Sequence, residues 1–566
     1  MRQFLKKIVF KFINFNFKLL VKQVAKDKAV MPHRVVDDVY EIFDNINESQ
    51  VFDKKIVIPY QNITILDRIN IYRPYEILEI KTLLKKSTLD LNIDTTKDML
   101  LPLAVLDLNL TEKGNDKVKL SYGSDEVELE LKYKNRFHYL PVKSNTKIKQ
   151  IKIQSDGRDV VVGKPIYKDK KLLKGSPKLI VHIFVDALTQ CMIEKFGYEI
   201  MPNTEKFFSN GGIFYTNAYA QAEWTLSSVT GILTGKYTNE HLLYHPRRED
   251  KISDITIADV LNKEGYTTFA CTNIPKLTAV NGYDKGFDRY ILALDKDYNY
   301  IINEACEQLD AFGGNQYLFL SFFDVHEAHT LQAISTQVVT DLEDFTYKEL
   351  KGNSKDTSIL YDKEQVGMYK NSITHFDKKL QRLYDAIDSY DEEAMVVLHS
   401  DHGVNFMTQT NELLSKEREK VVFLYKNNKN NNKLDNSIKE IRELPSMICN
   451  DLNIENIFDY EYDGCAITES LYPNKDYELA IRDETSVLFF KVPWKEITHK
   501  NTKSYQYATS YHPVDDELLV SATNDSGVIK SIEHRQYKIF GQMWHSEREG
   551  VFIKEELVLI RDFFNN

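Results

Sequence analysis

The chain has 566 residues and carries 73 Lys plus Arg against 84 Asp plus Glu, a net charge of −11. That balance argues against a general nucleic-acid binder, which needs a basic footprint, and the length predicts two or three domains. The five cysteines, Cys191, Cys271, Cys306, Cys449 and Cys465, are scattered and form no C-x-x-C pair, so neither a disulfide framework nor a thiolate zinc site is indicated.

In chain order, residues 1–50 form the first segment. Its first 28 residues hold eight basic side chains and one acid, Asp27, interleaved with Phe4, Ile8, Phe10, Ile13, Phe17 and Leu20. The pattern fits a basic amphipathic helix on an anionic membrane surface, and equally a helix packed on its own protein. No run in the chain reaches the apolar length of a membrane span. The charges break the apolar stretch too often for a signal peptide.

Residues 51–172 read as an antiparallel β domain of sandwich type. Short strands are expected at Lys55–Pro59, Leu106–Leu110, Val118–Tyr122, Glu126–Tyr133 and Lys147–Ile153, with turns at Ser124-Asp125 and Ser155-Asp156-Gly157. From 173 to 490 the pattern changes. Leu179–Val185 is a nearly continuous apolar strand, as a strand covered on both faces requires. Further apolar strands at Tyr317–Phe323, Ala394–Leu398 and Val421–Tyr425 alternate with helical stretches, which predicts an α/β sheet with its site at the carboxyl ends of the strands. Lys426–Asn436, rich in Lys and Asn, reads as an exposed loop. Strands return at Glu478–Ile481 and Ser486–Val492, and residues 491–566 read as a β-rich subdomain closing on a short helix.

Three short motifs carry chemistry. Asp186 follows directly on the strand Leu179–Val185. Trp224-Thr225-Leu226-Ser227-Ser228 leads into a helix ending Gly231-Ile232-Leu233-Thr234-Gly235-Lys236-Tyr237. Ser400-Asp401-His402-Gly403 follows the strand Ala394–Leu398 and His399. Each alone has a bland explanation, since Asp186 and Thr225 fit helix caps and His402 fits a buried core position. Met201-Pro202-Asn203-Thr204, Gly282–Asp288 and Phe322–Glu327 accompany them.

Together these motifs resemble the sulfatase/alkaline-phosphatase superfamily. The resemblance implies an α/β fold, a mixed sheet flanked by helices, preceded here by the N-terminal antiparallel β domain. The second motif is similar to the sulfatase signature, in which a Cys or Ser precedes the last Gly by ten residues; Thr225 stands at that position. The family's Pro and Arg are missing, with Val229 in place of the Arg. Thr cannot become formylglycine, but it is the nucleophile of phosphoryl-handling relatives such as lipoteichoic acid synthases and phosphoethanolamine transferases.

What the resemblance implies is a single divalent metal ion, Mn2+ or Zn2+ with Mg2+ or Ca2+ as alternatives, held by Asp186, Thr225, Asp401 and His402. Thr225 and His326 are the implied catalytic residues, His326 near the substrate oxygens. Ser228, His241, His245, Arg247 and His329 are candidate substrate contacts, with a solvated charge run as the other reading of the basic stretch. The expected activity is transfer of a substituted phosphoryl group, such as phosphoethanolamine, phosphoglycerol or O-methyl phosphoramidate, from an activated donor to a glycan acceptor on a surface or capsular polysaccharide. A phosphodiesterase, a phosphonate monoesterase and a sulfatase-type hydrolase remain alternatives, as does a non-catalytic glycan-binding protein. The expected location is the cytoplasm, at the inner face of the membrane.

Overall fold

The computed structural model describes residues 176–241, 243, 251–293, 296–326, 363–404, 406–407, 415–427 and 433–458, together with segments 55–59, 74–85, 88–92, 97–106, 117–122, 125–130, 137–144, 150–155, 159–167, 466–470, 477–482, 486–492, 508–513 and 520–521. Residues 1–28, His245, Arg247, His329 and the closing helix lie outside the described residues.

Ten strands come first: β1 (Lys55–Pro59), β2 (Pro74–Lys85), β3 (Thr88–Asn92), β4 (Met99–Leu106), β5 (Lys117–Tyr122), β6 (Asp125–Glu130), β7 (His138–Val142), β8 (Gln150–Ser155), β9 (Asp159–Gly163) and β10 (Ile166–Tyr167). Eight more follow: β11 (Leu179–Val185), β12 (Gly212–Tyr219), β13 (Thr267–Thr272), β14 (Arg289–Ala293), β15 (Gln316–Phe322), β16 (Met395–His399), β17 (Phe423–Lys426) and β18 (Lys433–Glu440). The helices are α1 (Gln190–Phe196), α2 (Pro202–Phe208), α3 (Thr225–Thr234), α4 (Thr238–His241), α5 (Ile257–Lys263), α6 (Tyr298–Phe312), α7 (Lys363–Tyr390), α8 (Lys416–Glu419) and α9 (Leu444–Leu452). Strands β19 (Ala466–Ser470), β20 (Tyr477–Arg482), β21 (Ser486–Val492), β22 (Ala508–Pro513) and β23 (Val520–Ser521) complete the set.

The chain divides into two compact units. The first takes the residues up to Leu172 with Leu261–Lys296 and Gly313–Gln316; the second takes the rest. The first unit contains the expected antiparallel sheet, in the order β3-β8-β5-β6. A further set runs β10-β4-β9-β2-β14-β13, with β14 antiparallel to β2 and parallel to β13. That pairing draws residues 261–296, read from sequence as part of the 173–490 span, into this unit. Of the strand expected at Leu106–Leu110, only Leu106 lies among the described residues, as the last residue of β4.

The second unit has the mixed sheet expected of the fold class, in the order β15-β11-β16-β17-β12-β18. Strand β11 is buried at every position, which explains its unbroken apolar sequence, and it runs parallel to β16. Strand β17 is antiparallel to β16 and β12, and β18 is parallel to β12. The Lys/Asn-rich stretch read as a loop therefore holds the start of β18. Charged outward positions are compatible with a strand at the sheet's edge, and Lys433, Leu434 and Asn436 are exposed. A separate antiparallel sheet runs β19-β20-β21-β22-β23.

Helix α7 packs against α2 and α6 through an apolar stripe that includes Val366, Tyr369, Ile373, Phe376, Leu380 and Leu383. From it, the Asp377 carboxylate accepts the Asn203 and Thr204 N–H groups at 2.9 and 2.8 Å, neutralising the N-terminus of α2. Five buried aromatics in this unit, Phe184, Phe208, Tyr369, Tyr384 and Tyr425, are less than 2% exposed or close to it and fill the space around the sheet.

Candidate active site

The site begins with strand register. In the β11–β16 ladder Phe184 lies opposite His399. Two residues on, Asp186 and Asp401 therefore leave the sheet side by side at the carboxyl ends of parallel strands, the place where open α/β sheets bind ligands. The turns are stitched together. The Asp186 N–H donates to the Phe322 carbonyl at 2.9 Å, the Ala187 N–H to Asp401 Oδ1 at 3.1 Å, and the Leu188 N–H to Ser400 Oγ at 2.7 Å. Ser400 Oγ in turn donates to the His402 carbonyl at 2.9 Å.

Thr225 opens α3, a helix buried along its whole length. Trp224 before it is extended and its side chain makes no capping hydrogen bond, and the helix dipole favours negative charge at this end. Ser228 Oγ donates to the Asp401 carbonyl at 2.8 Å, fastening α3 to the Asp401 turn. At the far end Gly235 is left-handed, φ 73°, and its N–H returns to the Gly231 carbonyl at 2.7 Å. The Arg442 guanidinium then takes the Gly235 carbonyl at 2.9 Å, and the Tyr237 hydroxyl donates to the Glu440 carboxylate.

Thr225 Oγ1 lies 3.3 Å from Asp186 Oδ2 and 3.4 Å from His402 Nε2. His402 Nε2 is 3.6 Å from Asp186 Oδ1 and 3.3 Å from Asp401 Oδ2. His326 Nε2 is 3.8 Å from Asp186 Oδ1, and its ring meets that of His402 edge to face at 5.6 Å. The His402 Nδ1 is 2.9 Å from the Gly403 carbonyl. A carbonyl only accepts, so Nδ1 carries the proton and Nε2 turns its lone pair toward Asp186 and Thr225, the tautomer a metal ligand needs.

Do these residues fit a divalent cation? Asp186, His326 and His402 each offer one ligand atom, all within 4.8 Å of one another. Asp186 and Asp401 are fully buried, and Asp401 Oδ2 accepts no hydrogen bond. Burial raises the Asp401 carboxyl to about 6, opposed by the Ala187 N–H and by His326. Buried carboxylates gathered beside imidazole nitrogens are costly unless positive charge sits among them. The oxygen and imidazole donors suit a hard or borderline divalent cation better than a soft one. The residues fit.

Ala187 is one of two non-glycine residues with positive φ among the described residues, at 62°. That conformation costs roughly 1–2 kcal/mol for an L-residue. It turns the chain sharply after Asp186.

The other expected contacts divide. Ser228 orders the Asp401 turn, as above. His241 is buried; its Nδ1 accepts the Leu243 N–H at 3.1 Å, and burial lowers it to about 3. It lies by the first turn of α3, where Ser227 Oγ meets the Leu243 carbonyl at 3.3 Å. Burial favours the neutral ring at this position.

Other site supports carry no sequence motif. Tyr369 donates to the Ala187 carbonyl at 2.5 Å and accepts the Thr189 N–H at 3.3 Å. Glu223, two residues before Thr225, pairs with Arg418 at 2.7 Å and accepts from Ser470 Oγ at 2.7 Å. The Arg418 carbonyl accepts the Gly403 N–H at 2.6 Å. In sequence Tyr369 is one aromatic on an apolar helical stripe, and only its hydroxyl, needing a partner when buried, hints at more.

Residues 178–433, the span that contains this site, match the family model described as Sulfatase. Solved structures it is similar to include a protein of the alkaline phosphatase superfamily from Vibrio parahaemolyticus, 13% identical over 66% of this chain and 90% of that one, with a TM-score of 0.47. A 2-O GAG sulfatase is 12% identical over 66% of this chain and 93% of its own, with a TM-score of 0.48. A protein solved with its substrate D-glucosamine-2-N,6-O-disulfate is 11% identical over 67% of this chain and 100% of its own, with a TM-score of 0.47. None of the curated proteins compared with this chain matches it.

Proposed function

We propose that this protein is a metal-dependent enzyme that moves a substituted phosphoryl group through Thr225. The donor would carry phosphoethanolamine, phosphoglycerol or O-methyl phosphoramidate, and the acceptor would be a hydroxyl of a bacterial surface or capsular polysaccharide. The observation that supports this reading is the distance of the Thr225 hydroxyl from Asp186 and His402, 3.3 and 3.4 Å, at a helix N-terminus. A threonine in this position keeps its hydroxyl, which closes the formylglycine route to sulfate esters and leaves attack on phosphorus.

When bound, a divalent cation supplies positive charge for the developing oxyanion and acidifies a neighbouring hydroxyl. Asp186, Thr225, Asp401 and His402 would hold it. The Thr225 hydroxyl donates to Asp186 Oδ2, which takes the proton as Oγ1 attacks phosphorus in line. The Oγ1–P bond forms while the bond to the leaving oxygen breaks, and that oxygen takes its proton from solvent. His326, a quarter exposed at 24%, faces the same cluster and would orient the non-bridging oxygens. In a second in-line attack the oxygen of water or of an acceptor hydroxyl bonds to phosphorus as the Oγ1–P bond breaks. Asp186 returns its proton to Thr225 Oγ1, the attacking group gives its proton to solvent, and configuration at phosphorus is retained overall.

Hydrolysis of the same bond, by a phosphodiesterase or phosphonate monoesterase, uses the same residues. No helix among the described residues is long and apolar enough to cross a membrane, and residues 1–28 are proposed to touch an anionic membrane from the cytoplasmic side. The test is release of nitrophenolate by the Mn2+-loaded protein from a nitrophenyl phosphodiester and from nitrophenyl sulfate. Turnover of the phosphodiester, lost with a chelator and in Thr225→Ala, is the expected result. Turnover of the sulfate alone contradicts the proposal.

A further inference from the structure

We infer that Tyr369 is a positioning residue for the Asp186–Asp401 carboxylate pair, acting by holding Ala187 in its left-handed conformation. The inference rests on the metal-site reading above and adds a residue to it.

Asp186 and Asp401 come from different strands and must stay adjacent although their negative charges repel. Beside the Leu188 N–H bond to Ser400 Oγ, the Ala187 N–H reaches across to a carboxylate of the pair, donating to Asp401 Oδ1 at 3.1 Å. That N–H points at Asp401 with Ala187 at φ 62°, a conformation an alanine leaves readily. If Ala187 relaxed to negative φ, the peptide planes on either side of it would rotate, the Asp401 carboxylate would lose its donor, and Asp186 would leave the end of β11 in another direction.

The carbonyl on the other side of Ala187 is where Tyr369 acts. Its hydroxyl donates there at 2.5 Å and accepts the Thr189 N–H at 3.3 Å. Both groups of the hydroxyl are thus used on one short turn, Ala187–Thr189. Tyr369 is 2% exposed and sits on α7, a 28-residue helix, so its hydroxyl is fixed by packing and not by the turn it restrains. Thr189 is anchored independently, its Oγ1 donating to the Lys420 carbonyl at 3.0 Å. The Ala187 peptide is therefore clamped from both ends, by Asp401 and by Tyr369, and the strain is balanced by these hydrogen bonds. A glycine at 187 would need no such clamp.

The logic gives a double-mutant cycle. In the metal-free protein, Ala187→Gly raises the melting temperature and Tyr369→Phe lowers it. The loss from Tyr369→Phe shrinks in the Ala187→Gly background, because a glycine turn adopts φ 62° unaided. The second readout is Mn2+ affinity by titration calorimetry. Tyr369→Phe binds Mn2+ about five- to tenfold more weakly, the worth of one hydrogen bond, and Ala187→Gly/Tyr369→Phe recovers most of that loss. Equal Mn2+ affinity for wild type and Tyr369→Phe overturns the inference. Weakening that Ala187→Gly does not rescue overturns it too, since the hydroxyl would then act through packing. Should Tyr369→Phe fail to fold, Ala187→Gly alone decides: a melting temperature that fails to rise contradicts a strained turn. Failure of wild type to bind Mn2+ overturns the metal-site reading itself, and the metal-free melting cycle still reads the clamp.

Discussion

At the scale of single residues, the site's character follows from which atoms keep open lone pairs. His402 spends its proton on the Gly403 carbonyl, so His402→Asn should weaken Mn2+ binding by on the order of 10–100-fold while the fold persists. Calorimetric titration checks it. Thr225→Ala should bind Mn2+ with only a modest loss and drop turnover by about 10³-fold or more, as removal of a nucleophile does. Asp186, Thr225, Asp401 and His402 were all visible in the sequence because each follows a strand or opens a helix in a short motif. Tyr369, Glu223 and Arg418 were not, because their roles come from hydrogen bonds across 180–200 residues of chain that no local pattern encodes. The position of His241 after α3 was legible, but its burial and the Leu243 N–H on Nδ1 depend on the tertiary packing.

At the scale of elements, two turns depend on glycine. Gly235 ends α3 at φ 73°, and Gly235→Ala should cost roughly 1–2 kcal/mol in a urea melt. Gly403 has no room for a Cβ, which would meet the Glu417 carbonyl. Gly403→Ala should cost about 1–3 kcal/mol and weaken Mn2+ binding as well, since it shifts His402. A Gly403→Ala protein with wild-type Mn2+ affinity would separate the α8 contact from the site. The strands that carry the site, β11 and β16, were legible because burial on both faces leaves an unbroken apolar run. The start of β18 was not, because a polar strand with exposed residues has the composition of a loop.

At the scale of the whole molecule, the second unit buries a chain of neutral groups beneath the site. The Tyr317 hydroxyl meets His182 Nδ1 at 3.1 Å, His182 Nε2 meets His399 Nε2, and His399 Nδ1 meets the Ser400 carbonyl at 3.1 Å. The carbonyl fixes the proton on His399 Nδ1, so His182 donates to His399 and accepts from Tyr317. Burial lowers His399 to about 4, opposed by its hydrogen bond to the Ser400 carbonyl, and burial together with charge on His399 lowers His182 well below its ordinary value. Both folded values lie below those of the unfolded chain. Above about pH 6.5 both states are neutral; as pH falls toward 4 only the unfolded chain takes up these protons, so stability is lost across that window. The slope is up to about 1.4 kcal/mol per pH unit for each ring. Comparing wild type with His182→Gln by thermal melts from pH 7 to pH 4.5, the variant should lose less stability on acidification, by about one proton's worth of slope. Equal slopes would contradict burial as neutral rings. The division into mixed α/β sheet and antiparallel sheet was legible at this scale from the change in strand pattern near Pro177, whereas the pairing of β14 with β2 was not, because it joins segments about 210 residues apart.

The central claim is that Thr225 carries the transferred group, and intact-protein mass spectrometry tests it most directly. Wild type and Thr225→Ala would be loaded with Mn2+ and incubated with a panel of activated phosphodiester donors. A mass increase equal to the donor's phosphoryl group on wild type, absent from Thr225→Ala and discharged by water or a glycan, is the predicted result. Turnover of a donor with no adduct on wild type and undiminished rate in Thr225→Ala would contradict it.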